Sequence, residues 1–198
     1  MNTQDTWVLA THNQGKTREF KAQWTLDRVQ LLSLADCGLT EVPSETGTTF
    51  AQNAFLKAES AHWASGFPAL ADDSGLIVPA LGGEPGLHSA RYAGPTASDS
   101  ENLRLLLANM KDLEEREAYF VCVLCWWDGQ GDPLWVEGRW HGRILRQAVG
   151  QNGFGYDPIF EPDNFQGFSL AQLEPAIKNQ YSHRALALRA LFQRMEAR

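Results

Sequence analysis

"WVLATHNQGKTREFKAQW", residues 7–24, reads as a strand, a polar loop and a helix, and that order sets the fold class. WVLA is short and apolar, as a buried strand is; GKTREFKAQW has helical composition and brings Phe20 and Trp24 to one face. The loop between them closes on Gly15-Lys16-Thr17, with a small residue, Ala10, five positions before the glycine. A P-loop ends this way, its lysine reaching the outer phosphates. A P-loop also needs glycines where backbone amides wrap the phosphate, and here the interior is Thr11, His12, Asn13 and Gln14. Two readings therefore stand beside a small P-loop kinase. One is a plain connection in which Asn13 and Thr17 cap the helix. The other is a phosphate cradle of side-chain donors and a lysine at a helix N-terminus, where the macrodipole favours an anion. The convergence of donors and lysine favours the cradle.

Working outward, VQLLSL is a second strand and TEVPSETG a polar connection. TTFAQNAFLKAESAHWASG carries a capping-box signature, Thr49 with Gln52, and ends at Gly66. PALADDSGLIVPAL reads as two short strands meeting at an acidic turn, Asp72 to Gly75, and GGEPGLHSARYAGPT as a loop. SDSENLRLLLANMKDL opens with a second capping box, Ser98 to Glu101. REAYFVCVLCWW and PLWVEGRWHGRIL flank DGQGDP as a hairpin, and GQNGFGYDPIF is a glycine-rich loop entering a short strand. After Ser182, Leu188, Leu191, Phe192 and Met195 have helical spacing. Strands alternating with helices, then a hairpin and a final helix, predict an α/β fold with a mixed sheet.

The 198 residues suit one domain or two closely packed lobes. A net charge of −7 argues against duplex nucleic acid as a partner. No apolar run is long enough to cross a bilayer, and MNTQDTWVLA lacks a basic region followed by an apolar one, so the expectation is a soluble cytoplasmic protein with no membrane partner. Three cysteines fit a reducing compartment; CVLC falls in a strand, where side chains three apart face opposite sides, so Cys122 and Cys125 read as structural. The tryptophan-rich WWDGQGDPLW reads as core packing or as a subunit contact.

Magnesium is usually held by one or two carboxylates together with substrate phosphates. Asp72 and Asp73, adjacent on an extended chain, should point to opposite sides, one toward metal and water and the other spent on structure. Glu45 could supply the second ligand; the bland alternatives are an Asx-turn feeding Ser74-Gly75 and an exposed loop glutamate. Lys178, His183 and Arg184 gather around a helix start capped by Ser182, as a second anion site or as a solvated face. Phe154 and Tyr156 between glycines suit base stacking or core packing, and Asp157 could accept from ring N–H groups. No serine, cysteine and histidine grouping argues for a covalent intermediate.

Taken together, LATHNQGKTREF, SETGTTFAQNAFLKA, ALADDSGL, LGGEPGLHSARYAG, NGFGYDPIF and IKNQYSHRALAL resemble, in order and over nearly the whole chain, the inosine/xanthosine triphosphate pyrophosphatases. The resemblance implies a single α/β domain over residues 1–198, with a long mixed central sheet flanked by helices and two lobes around a substrate cleft, in a homodimer. It implies Mg2+-dependent cleavage of noncanonical purine nucleoside triphosphates between the α- and β-phosphates. Carried over by motif, Thr11, His12, Asn13, Gln14, Gly15 and Lys16 bind the triphosphate, Glu45 and Asp73 hold metal, and Asp73 is the general base. Ser74, Lys178, His183 and Arg184 contact substrate, and Phe154, Gly155, Tyr156 and Asp157 form part of the base pocket. The chain departs from the family pattern at Gln52 and Gln172, where glutamates are usual, and at Ala185, often glycine. The lysine loop is then a side-chain cradle rather than a P-loop. A nucleotide kinase and a non-catalytic nucleotide sensor are the competing functions.

Overall fold

The computed structural model describes residues 5–41 and 43–196. Met1 to Gln4 of the MNTQDTWVLA segment and Val42 of the TEVPSETG connection lie outside them, so those readings are described only in part. In order, the elements are β1 (Asp5–Leu9), α1 (Gln14–Gln23), β2 (Val29–Ser33), α2 (Phe50–Ser65), β3 (Ala69–Ile77), α3 (Asp99–Asn109), β4 (Glu117–Trp127), β5 (Leu134–Ile144), β6 (Phe160–Pro162), α4 (Pro175–Tyr181) and α5 (His183–Glu196). The six strands form a sheet in the order β2-β1-β3-β4-β5-β6. β1 is parallel to both β2 and β3, whereas β5 and β6 are antiparallel, so the sheet is mixed as the pattern of elements predicts. No helix among the described residues is long and apolar enough to cross a membrane.

The chain divides into two compact units. Met1–Asp73, Cys122–Gly138 and Arg184–Arg198 form the first, Ser74–Val121 and Arg139–His183 the second.

In the first unit, strand alternation sorts side chains to two cores. Trp7, Leu9, Leu70, Cys122 and Leu124 join Phe20 of α1 and Leu188 and Leu191 of α5. Val8, Ala10, Ala69, Ala71 and Cys125 join Ala54, Ala58 and Ala61 of α2. Those three alanines, one helical turn apart, share a cluster with the β3 alanines, while Phe55 of the same helix packs on Trp127 and Trp135. The two cysteines thus fall in different clusters, as the alternation requires, and burial pushes the Cys125 thiol up to about 12, which leaves it unreactive.

One expectation is corrected. PALADDSGLIVPAL is not two strands around a turn: β3 runs unbroken through Asp72, Asp73, Ser74 and Gly75. Turn chemistry is unnecessary because basic side chains meet both aspartates where they stand in the strand. In the tryptophan-rich hairpin the core-packing reading fits, since Trp127 is buried and Trp126 and Trp135 pack against the two cores. The exposed tryptophan is Trp63, near the end of α2, at 68%.

The second unit is built around Leu76 and Val78 of β3, Leu103, Leu106 and Met110 of α3, Phe120, Trp140 and Ile144 of β4 and β5, and Phe160 of β6. α3 starts with the expected reciprocal capping box between Ser98 and Glu101. Within GGEPGLHSARYAGPT, residues Gly86–Arg91 form a 3-10 helix rather than open loop. β6 lies so close to β5 that a Cβ on Gly142 would overlap the Glu161 carbonyl and approach Pro162 Cα at 2.8 Å. Because the obstacle is backbone, Gly142→Ala should cost about 1–3 kcal/mol. A thermal melt checks this; an unchanged midpoint would mean β6 yields freely.

Candidate functional site

Each unit gathers one group of the polar residues singled out in the sequence. In the first unit, β1 ends at Leu9 opposite Leu70, so Asp72 and Asp73 extend past the C-terminal end of their parallel neighbour. Ligands bind at that position in open α/β sheets. The pleat then divides the pair. Asp72 shares a face with Leu70, toward α1 and α5; Asp73 shares one with Ala69 and Ala71, toward α2.

Asp72 is fully buried, and its Oδ2 lies 2.7 Å from Lys16 Nζ. Burial alone would raise its pKa, but the charges of Lys16, Lys57 and Arg184 overcome that and hold the carboxyl well below the usual range. Asp72 is therefore a fixed anion, the structural member of the pair. Lys16 opens α1, whose cap is Asn13: its side chain accepts the Lys16 N–H at 3.0 Å, and its own N–H donates to Thr11 Oγ1. Thr17 Oγ1 donates to the Asn13 carbonyl, so Asn13 and Thr17 do cap the helix, as the bland reading of this loop holds. His12 and Gln14 are exposed, Gly15 half-buried. The first-turn amides of any helix lack intrahelical acceptors; at α1 the Asn13 side chain takes that of Lys16, and the others belong to Gln14 and Gly15.

Asp73 accepts from Asn53 Nδ2 at 3.0 Å, and Lys57 Nζ lies 3.4 Å from its Oδ1. The same Nζ is 2.9 Å from Glu45 Oε1, so one ammonium joins the two carboxylates. Burial, reinforced by Glu45, raises the Asp73 pKa against the pull of Lys57 and Asn53. For Lys57, burial works against the charge, yet Asp72, Asp73 and Glu45 outweigh it and raise its pKa. A cation bridging two carboxylates is the observation that these residues suit a small hard metal. Among the described residues no group of three or more His, Cys, Asp or Glu side chains is arranged to hold one, so such an ion would draw its remaining ligands from water and substrate.

Sequence reasoning missed Asn53 and Lys57. Their signal was an asparagine and a lysine, four apart, on the alanine face of α2. Gln52, standing where a glutamate is usual, is explained by its contacts: its Oε1 accepts from the Thr48 N–H at 2.7 Å and Oγ1 at 3.0 Å, a task that needs an acceptor and no charge.

In the first unit too, Arg184 at the start of α5 is buried and pairs with Glu19 of α1 at 2.8 Å. The structure thus joins α5 to the helix that carries Lys16.

The second unit brings together Phe154, Asp157 and Lys178. Asp157 Oδ2 accepts from the Phe154 N–H at 3.0 Å and from Lys178 Nζ at 2.6 Å. Lys178 Nζ also lies 4.4 Å from the centroid of the Phe154 ring, a cation–π contact. Gly153, at φ +79°, is obligatory, since a Cβ there would overlap the Asp157 carboxylate. Gly155 donates to Asp99. Tyr156 is buried and donates to the Ser89 carbonyl, which makes it an anchor and not a stacking surface. His183 is buried against Phe120, with ring centroids 4.9 Å apart. Ser74, next to Asp73 in β3, is half-buried.

The model of the Ham1 family matches residues 7–194. A dITP/XTP pyrophosphatase of Vibrio parahaemolyticus is 50% identical over 196 residues, covering 96% of each chain. A dITP/XTP pyrophosphatase of Pseudomonas syringae pv. tomato is 50% identical over 192 residues, covering 95% of each. A solved HAM1 protein from Coxiella burnetii, 37% identical, superposes with a TM-score of 0.89, covering 98% of this chain and all (100%) of that one.

Proposed function

The chain belongs to the Ham1 family, and from that premise we propose that it hydrolyses the noncanonical purine nucleoside triphosphates ITP, dITP and XTP to the nucleoside monophosphate and pyrophosphate. The observation that carries this reading is the Glu45–Lys57–Asp73 group, two carboxylates joined by one ammonium past the end of a parallel strand. The names of its relatives support the substrate class.

Glu45 and Asp73 would hold a divalent cation, Mg2+ in this reading. When bound, it supplies positive charge to the phosphate oxygens and makes water more acidic. Lys16, on the first turn of α1, binds the triphosphate together with the helix amides, the exposed side chains of His12 and Gln14, and the loop around Thr11 and Asn13. Asp73 takes the proton of the attacking water. A carboxylate whose pKa burial has raised is a better base for this than an ordinary one. The water oxygen bonds to the α-phosphorus, the bond from that phosphorus to the bridging oxygen breaks, and pyrophosphate leaves. Charge neutralisation and alignment suffice, without an enzyme-bound intermediate.

In this reading Phe154 to Asp157 of the second unit form part of the base pocket, and Ser74, Lys178, His183 and Arg184 are substrate contacts. Phe154 offers a ring face and Lys178 a donor for a six-oxo group. Asp157 holds Lys178 and the Phe154 amide through Oδ2, so it aims those groups. Adenine presents an amino group where the six-oxo stands, setting donor against the lysine's donor. The same reading takes a small-molecule nucleotide as partner, a homodimer as assembly and the cytoplasm as location; the net charge of −7 supports excluding nucleic acid.

Product analysis tests the reading. Incubation with Mg2+ and ITP, XTP or ATP should give monophosphate and pyrophosphate from the first two, with kcat/KM for ATP lower by at least about 10²-fold. Diphosphate formed with transfer to an acceptor would identify a kinase, and binding without products a sensor; either overturns it.

A further inference from the structure

Asn53 is 1% exposed in the first turns of α2, beside the buried Ala54. A polar side chain so buried must have its groups satisfied. Asn53 uses both ends: Nδ2 donates to Asp73 Oδ2 at 3.0 Å, and Oδ1 accepts from the Gly47 N–H at 2.8 Å. One rigid amide therefore ties the loop that carries Glu45 to the strand that carries Asp73. Gly47 is fitted to this contact, since a Cβ there would stand 2.7 Å from Asn53 Oδ1 and 2.7 Å from Gln52 Cβ. The next amide of the loop, that of Thr48, is held by Gln52 from the same helical turn. One turn further along, Lys57 bridges the two carboxylates that the clamp brings together.

We propose that Asn53, acting through the backbone of Gly47, is a positioning residue that presets Glu45 and Asp73 as a two-carboxylate cation site, with the Lys57 ammonium keeping the place of the metal. This rests on the hydrolase reading above and specifies how its cation site is built. Mg2+ demands near-ideal octahedral geometry and dehydrates reluctantly, so ligands free to wander bind it poorly. Residues that orient metal ligands without touching the metal typically change affinity by about 10–100-fold when removed. Asn53 touches one ligand side chain and the backbone two residues from the other.

The test is a Mn2+ titration followed by electron paramagnetic resonance on the native chain, Asn53→Ala and Gly47→Ala, with circular dichroism on each. Both variants should bind Mn2+ at least about 10-fold more weakly with native-like spectra. In turnover of inosine triphosphate, the metal concentration for half-maximal rate should rise by a similar factor while kcat at saturating metal changes little. Hydrogen exchange on the metal-free native chain, which needs no variant to fold, should show the Gly47 amide slowed well below the rate of an unstructured loop amide. Native-like Mn2+ affinity in both folded variants, or a Gly47 amide that exchanges freely until metal is added, overturns the positioning role. A native chain that binds no Mn2+ overturns the metal reading itself.

Discussion

Asp73→Asn should yield a protein that melts at or above the native temperature at neutral pH and hydrolyses inosine triphosphate about 10²–10⁴-fold more slowly. The two halves have one cause. Burial and the neighbouring Glu45 place the folded-state pKa of Asp73 above its ordinary value, against the pull of Lys57 and Asn53. A carboxyl with a raised pKa holds its proton more tightly in the folded chain than in the unfolded one. Its favourable contribution is thus present at low pH and lost as pH rises through the folded value, and at neutral pH the ionised group opposes folding. Asparagine keeps the shape and, through its amide oxygen, an acceptor for Asn53, while Lys57 keeps Glu45. In the proposed mechanism the same substitution removes the base and one metal ligand. Melts in chelator from pH 7 downward should show the native chain closing the gap as Asp73 takes up its proton. A variant less stable than the native chain at pH 7 would contradict the argument, and near-native turnover would remove Asp73 from the chemistry. An activity that depends on an uncomfortable buried charge is a common form of the trade-off between stability and function.

Lys16→Ala should act in the opposite sense on stability. It takes from Asp72, whose side chain has no solvent exposure, the ammonium 2.7 Å away, and leaves only the weaker pull of Lys57 and Arg184. Removing one member of a buried pair costs about 3 kcal/mol, which for a chain of this length lowers the melting point by about 6–12 °C. The Asp72 pKa is held low, so its stabilising contribution is present above the unfolded value and lost as pH falls through the folded one. The loss should therefore be largest at neutral pH and fade in acid. Adding Asp72→Asn to Lys16→Ala should restore most of the stability, and a double-mutant cycle gives the coupling. Turnover should stay low in the double variant if Lys16 is the phosphate-binding cation of the proposed mechanism. Should activity return along with stability, Lys16 serves the fold and not the substrate.

Much of this arrangement was legible in the residues. The alternation of a strand alone sends Asp72 and Asp73 to opposite faces, and Cys122 and Cys125 likewise, and the clusters bear out both pairs. Ser98 with Glu101 foretold a helix start that forms in full. At Thr49 the forecast was half met, since Thr49 accepts the Gln52 N–H but the Gln52 side chain reaches past it to Thr48. The acidic stretch of β3 misled because Asp, Ser and Gly favour turns locally, and no local rule registers cations arriving from α1 and α2.

By itself, then, the sequence determined the order and type of most elements, though not the unbroken β3 or the short α4, and which strand residues share a face, because those follow from spacings of a few residues. Which base meets which acid was decided only by tertiary structure: Lys16 with Asp72, Lys57 between Glu45 and Asp73, and Arg184 with Glu19 across 165 residues. The reason is physical. A charged side chain is indifferent to the identity of an opposite charge until burial removes water and makes distance decisive, and burial belongs to the packed chain rather than to any segment of it.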